Sequence, residues 1–159
     1  QSSYWSALGA VAMPLPFSEL YFALQQGTVA AQENPLYIVI SARLYEVQQY
    51  LILTNHAPMV TNYVMNQEQY EALSPEHQEL LLRFLQTVQE EELRRLPEEE
   101  ASQLDQLARE FGMEILTPSE ELQASMQAAN AQALDLLRQE LGAETVDRFL
   151  AAAASAETD

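Results

Sequence analysis

Residues 14–34 read PLPFSELYFALQQGTVAAQEN, and Pro35 follows them directly. Two prolines stiffen the start of this stretch, and Ser18 is a suitable N-cap for an amphipathic helix that Gly27 would end. Asn34 followed by a proline predicts the cap of a second helix. Two helix N-termini would therefore lie close together in the sequence. Their unpaired N–H groups and the helix macrodipole favour anions, so the stretch predicts a region suited to a negatively charged ligand.

The composition indicates a folded and strongly acidic protein. The chain has 159 residues, of which 48% are hydrophobic, and a formal net charge of −17. Its length suits one domain. The negative charge argues against nucleic acid as a partner, because phosphates would be repelled. No apolar run reaches the roughly 20 residues of a membrane span. No signal peptide is visible at the first residue, so for an exported protein we expect that segment to have been removed.

The hydrophobic pattern along the chain predicts short strands inserted between helices. We expect strands where apolar, β-leaning residues cluster, and helices where apolar residues recur at helical spacing. The predicted strands are 11–16, 50–54, 60–65 and 113–116. The predicted helices are 18–26, 34–44, 74–96, a helix restarted by Pro97 and ending near Gly112, 120–141 and 144–154. The fold class is therefore α/β with a helix-rich second half.

Motifs for catalysis, metal binding and cofactor binding are absent from the sequence. It has no Gly-rich phosphate loop, no Gly-x-Ser-x-Gly elbow and no His-Glu-x-x-His pair. Cysteine is absent, and the two histidines, His56 and His77, are too far apart in sequence to suggest a zinc site. We predict that the protein is not an enzyme and uses no cofactor or metal. A small hydrolase that uses a glutamate and His56 is a remote alternative.

Three residues each have a structural and a functional interpretation. Asn34 would cap the helix that follows it, or its amide would donate to a ligand carboxylate. Phe17 would form a hydrophobic staple with Phe22, or it would be the apolar wall of a ligand pocket. His56, which lies between a predicted strand and Pro58, would be a structural histidine or a ligand contact. The residues alone leave both interpretations open.

Longer motifs run almost without a break from Gly9 to Asn66. They are Gly9-Ala10, Pro14, Phe17-Ser18-Glu19-Leu20-Tyr21, Ala23-Leu24-Gln25, Gly27, Gln32-Glu33-Asn34-Pro35, Tyr45-Glu46-Val47-Gln48 and Leu53-Thr54-Asn55-His56. In this order they resemble the substrate-binding proteins of TRAP transporters, the DctP-type family. Beyond Ser74 only the helix-rich layout is similar.

The resemblance implies the C-terminal lobe of a periplasmic-binding-protein-like fold of two lobes. Residues 1–159 would form a single domain, with a ligand-facing α/β part at 1–66 and a mainly helical part at 67–159. A protein of this family is periplasmic, closes around a small organic acid such as a dicarboxylate, and delivers it to the membrane permease subunits of a TRAP transporter. The ligand-binding residues implied by the resemblance are Phe17, Gln32, Asn34, His56 and, more weakly, Thr61 and Asn62.

The sequence departs from the family at three points. The main carboxylate-binding arginine of the family would lie upstream of Gln1, together with most of the N-terminal lobe. Ala30-Ala31 stands where Asp-Gly is usual, and Gln49 stands where lysine is common. We therefore keep an alternative, a truncated or redesigned scaffold or interaction module that does not bind ligand. We also expect the chain to associate with the missing N-terminal lobe or with a second copy of itself.

Overall fold

The structure, a computed structural model, describes residues 2–156 as short strands among helices. In chain order the elements are α1 (Ser2–Ala7), α2 (Phe17–Gln25), α3 (Leu36–Ser41), the 3₁₀ helix η1 (Leu44–Glu46), β1 (Tyr50–Ile52), α4 (Gln67–Glu71), α5 (Pro75–Arg109), β2 (Glu114–Leu116), α6 (Glu120–Leu141) and α7 (Ala143–Ala156). Strands β1 and β2 pair in a two-stranded sheet. Gln1 and residues 157–159 of the predicted domain lie outside the described residues.

The chain divides into two compact units, each assembled from separate segments. Unit 1 comprises Gln1–Leu20, Ile52–His56 and Leu116–Asp159. Unit 2 comprises Tyr21–Leu51 and Ala57–Ile115. Each unit has buried apolar residues of its own.

In unit 1, helix α6 packs against both α1 and α7. Tyr4 of α1 is buried in a cluster with Met126 and Ala129 of α6, and Trp5 packs against that cluster. Helix α6 begins where the Ser119 side chain accepts a hydrogen bond from the backbone N–H of Leu122, at 3.2 Å. This satisfies one of the N–H groups that a helix start leaves unpaired, so the predicted start of the helix is confirmed.

In unit 2, helix α3 packs against the long helix α5 and against η1. The side chains of Val39, Leu44 and Leu107, one from each of these three elements, are almost completely buried. The rings of Tyr45 and Phe111 stack with their centroids 3.8 Å apart. Residues 32–48, which include two of the predicted ligand contacts, are therefore built around aliphatic residues held by α5.

Two predicted strands and one predicted helix break are wrong. Residues 11–16 and 60–65 have no regular structure, and Val11 and Val64 are 93% and 91% exposed. A β-leaning sequence becomes a strand only when a neighbour pairs with its backbone, and β1 and β2 pair with each other. Pro97 lies inside α5. One proline removes one intrahelical hydrogen bond, which a helix of 35 residues accommodates.

Within residues 2–156, no helix combines the length and apolar character that crossing a membrane requires.

Candidate functional site

Three side-chain amides of unit 2 form a hydrogen-bonded chain. The Nδ2 of Asn34 donates to the Oε1 of Gln32 at 2.6 Å. The Nε2 of Gln32 donates to the Oε1 of Gln48 at 3.1 Å. All three residues are partly buried. We call Gln32, Asn34 and Gln48 the amide cluster; it contains two of the six sequence-predicted ligand contacts.

Asn34 does not cap the helix that follows it. Pro35 occupies the N-cap position of α3, and no side chain caps that helix end. Asn34 is thus one residue too early for the capping geometry, and its amide turns to Gln32 instead. The predicted cap is wrong, and the side chain of Asn34 is available for another role. Helix α3 has only six residues, so its N-terminus offers little of the predicted attraction for anions.

A second set of polar side chains, those of Tyr21, Arg43 and Glu46, stabilises the backbone turn that precedes Gln48. Tyr21 of α2 donates its hydroxyl to the Oε2 of Glu46 at 2.8 Å, and Arg43 forms an ion pair with the same carboxylate. Arg43 has a φ of 55°, which is unusual for a residue other than glycine. The hydrogen bond from Tyr21 lowers the pKa of Glu46 below its ordinary value and raises the pKa of Tyr21. These contacts tie η1 to α2.

His56 lies in unit 1, held by aromatic rings. Its ring stacks on Tyr4, with centroids 5.3 Å apart and planes 10° apart. Trp5 meets it edge to face at 4.9 Å. The Oγ1 of Thr54 lies 2.8 Å from the Nδ1 of His56. The histidine therefore has a fixed orientation, as either a structural residue or a ligand contact would require.

A cleft of about 390 Å³ opens beside His56 within unit 1. Besides His56, its polar lining consists of residues that carry amides and hydroxyls: Thr54, Asn55, Thr117, Gln123, Gln127 and Asn130. The hydroxyl of Tyr4 and the Nε1 of Trp5 are buried, and neither has a hydrogen-bond partner within the described part of the chain. Burial raises the pKa of Tyr4 above its ordinary value.

The other three predicted contacts lie on exposed segments. Phe17 is the first residue of α2 and is 56% exposed, and Phe22 is 60% exposed. Because the helix already begins at Phe17, the predicted staple geometry is wrong. Thr61 and Asn62 are exposed in a segment without helix or strand.

The predicted residues are thus divided between the units, with Phe17 and His56 in unit 1 and the other four in unit 2. Sequence reasoning missed Gln48 as a partner of Gln32. Its motif, Tyr45-Glu46-Val47-Gln48, contributes to the family resemblance, but no sequence spacing links residue 48 to residue 32. Among residues 2–156 no group of three or more His, Asp or Glu side chains is placed to hold a metal ion.

The architecture is that of one part of a TRAP periplasmic solute-binding protein. The high-resolution structure of the periplasmic ectoine-binding protein from the TeaABC TRAP transporter of Halomonas elongata is 29% identical, with a TM-score of 0.80, covering 94% of this chain and 50% of that one. The sugar acid-binding protein DctPAm from Advenella mimigardefordensis strain DPN7T, solved with galactonate, is 28% identical, with a TM-score of 0.78, covering 97% of this chain and 49% of that one.

The sequence profile of DctP, described as bacterial extracellular solute-binding protein, family 7, matches residues 1–140, and the chain belongs to this family. The 2,3-diketo-L-gulonate-binding periplasmic protein YiaO of Escherichia coli K12 is 34% identical over 113 residues, which cover 71% of this chain and 34% of that protein. The resemblance based on the motifs and the predicted fold class are both confirmed. The chain spans between a third and a half of the length of these relatives.

Proposed function

We propose that this chain is the C-terminal portion of the solute-binding protein of a TRAP-type transporter. The protein would capture a small organic acid in the periplasm, after removal of a signal peptide, and deliver it to the membrane permease subunits. Membership of the DctP family supports this, as does the similarity to a protein named for binding 2,3-diketo-L-gulonate and to a sugar acid-binding protein solved with galactonate. The proposed role is binding without chemical conversion of the ligand.

The observation that carries the proposal is the state of the Asn34 amide. One of its N–H groups is used by Gln32. The second N–H and the side-chain carbonyl have no partner within residues 2–156. A hydrogen bond from such a group to a carboxylate contributes about 1.5–3 kcal/mol. Asn34 and Gln32 would therefore contact the acid group. Thr61 and Asn62 of unit 2, and Phe17 and His56 of unit 1, are proposed as ligand contacts from the family resemblance alone.

The backbone at Ala30-Ala31 is compatible with this proposal. The described non-glycine residues with positive φ are Arg43 and Asn55, so neither alanine adopts the conformation for which a glycine would be required. Replacing the family's Asp-Gly thus introduces no backbone strain at this point. The alternative, a scaffold that does not bind ligand, is then supported mainly by one departure from the family. Residues 1–159 lack the carboxylate-binding arginine, which the resemblance expects elsewhere in the protein.

The test is a thermal-shift and calorimetry screen of the full-length protein against galactonate, L-gulonate, 2,3-diketo-L-gulonate and succinate. At least one acid should raise the melting temperature. Asn34→Ala should weaken its binding at least tenfold, as expected for a lost hydrogen bond to a charged group. Asn66→Ala is the matched control, because the side chain of Asn66 caps α4 and is not among the proposed ligand contacts. A flat response to every acid would contradict the proposal and favour the scaffold.

We further propose that the other half of the protein covers an apolar groove in unit 2. The groove measures about 660 Å³ and is lined by Met65, Leu73, His77, Leu80, Leu81 and Phe84. Phe84 is 60% exposed, and apolar surface of this kind marks a place where another surface packs. Sedimentation velocity of the 159-residue chain, with and without the upstream half, tests this. Self-association that persists when the upstream half is present would assign the groove to a second copy.

A further inference from the structure

We infer that Gln48 is a positioning residue for Asn34, and that it determines which end of the Asn34 amide faces a ligand. The inference rests on the proposed function, in which Asn34 contacts the acid group. It goes beyond that function because it assigns a role to a residue outside the ligand-contact set. The observation behind it is the direction of the hydrogen bonds in the amide cluster.

A side-chain amide has a donor end and an acceptor end, so fixing one end fixes the other. The Oε1 of Gln48 accepts from Gln32, which means that the Nε2 of Gln32 must point to it. The Oε1 of Gln32 then points the opposite way and can only accept, so the Nδ2 of Asn34 must face it. The orientation of the Asn34 amide is thus coupled through Gln32 to Gln48, with which no direct hydrogen bond connects it.

Ligand choice would change if the side-chain amide of Asn34 turned over. If Gln32 lost its acceptor at Gln48, its amide could turn over, and the amide of Asn34 could turn with it. An oxygen lone pair would then occupy the position of the Asn34 donor. A carboxylate would be repelled there, whereas a neutral ligand would be much less affected. Gln48 would therefore favour an acid over its uncharged analogue.

Gln48 is itself well placed for this role. It is partly buried, and it follows η1, which Tyr21 and Arg43 hold through Glu46. The neighbouring Gln49 is exposed. Its backbone carbonyl accepts from the N–H of Glu114, and its side chain makes no hydrogen bond within the described residues. Gln49 therefore provides a control of the same residue type one position away.

The experiment compares Gln48→Met with Gln49→Met in the full-length protein, using galactonate and its neutral 1,4-lactone as probes. Gln48→Met should weaken galactonate binding roughly two- to tenfold, the range of one net hydrogen bond, and leave lactone binding unchanged. Gln49→Met should bind both as the parent protein does. Unchanged galactonate binding in Gln48→Met, or an equal loss for both probes, would overturn the inference.

A second readout needs no ligand. The side-chain NH₂ resonances of Asn34 and Gln32 should shift and exchange faster with solvent in Gln48→Met. They should stay near their original positions in Gln48→Glu, because a carboxylate can only accept and keeps Gln32 in the same direction. Resonances of Asn34 that do not respond to Gln48→Met would refute the positioning role. If the parent protein binds no acid, the proposed function fails, and this readout alone decides the inference.

Discussion

Residues 32–48 and residues 57–66 both contain predicted ligand contacts, yet the two segments differ in how they are held. In the first segment the polar side chains close hydrogen bonds on one another, and Val39 and Leu44 are buried. In the second every residue is exposed, and none is in a helix or strand. The side-chain amides of residues 32–48 bond to one another within the segment, and its short helix α3 packs against η1 and α5. A β-leaning segment depends on a strand from elsewhere.

The largest test of this contrast replaces one valine in each segment. Val39→Ala should lower the free energy of unfolding by about 2 kcal/mol, because it removes fully buried methyl groups and leaves a cavity. Val64→Ala should change it by less than about 0.5 kcal/mol, since the side chain is exposed. Urea denaturation of both variants measures the difference. An equal loss in the two would mean that residues 57–66 are packed in solution.

A second test uses the asparagines that precede α3 and α4. The side chain of Asn66 accepts from the N–H of Gln69 at 3.2 Å, whereas Asn34 caps nothing. Asn66→Ala should therefore cost about 1 kcal/mol, and hydrogen exchange of the Gln69 amide should become about fivefold faster. Asn34→Ala should leave exchange at the Ile38 amide unchanged, because that group donates to the carbonyl of Pro35. Faster exchange of the Ile38 amide in Asn34→Ala would show that Asn34 does cap α3.

The smallest effect should come from Glu46, whose carboxylate contacts Tyr21 and Arg43 in the turn that precedes Gln48. The pKa of Glu46 is lowered in the folded protein, first by the hydrogen bond from Tyr21 and also by Arg43. Its contribution to stability is therefore present above the ordinary glutamate pKa and is lost as the pH falls through the lowered one. Glu46→Gln should reduce the melting temperature slightly near neutral pH, and the gap should close in acid.

Tyr21→Phe is the control for that titration, because it removes the main cause of the lowered pKa and keeps the ring. The gap between Glu46→Gln and its parent should be smaller when both carry Tyr21→Phe. Circular dichroism melts between about pH 7 and pH 3 cover the range in which a glutamate titrates. A gap that widens in acid would contradict the assigned sign.

The sequence predicts well whatever depends on neighbours along the chain. Helices α5 and α6 start close to where the sequence predicts, with Ser74 and Ser119 as their caps, and Gly27 and Gly142 follow helices with positive φ. The family is also predictable from the motifs, because they follow one another in a nearly continuous stretch. Features that need distant partners are missed. Gln48 meets Gln32 across 16 residues, and the predicted strand at 60–65 has no partner strand among the described residues.

The placement of Asn34 combines both cases. Its position before Pro35 correctly predicts a helix start, but the same local pattern wrongly predicts that its side chain caps the helix. The proline itself takes the N-cap position, and a bond to Gln32 replaces the cap. A polar side chain that caps no helix is a better candidate for a ligand contact than one that is already a helix cap.

The aromatic cluster around His56 also gives the protein a built-in optical probe. Trp5 is the one tryptophan in the sequence, and it lies in unit 1 against Tyr4 and His56. Its fluorescence therefore reports on α1 and α6, whereas the far-ultraviolet ellipticity of the chain has a large contribution from α5 in unit 2. If the two signals lose amplitude at the same urea concentration, both units unfold in one cooperative transition. A fluorescence midpoint above that of the ellipticity would show that the aromatic cluster stays intact after part of the helical structure has melted.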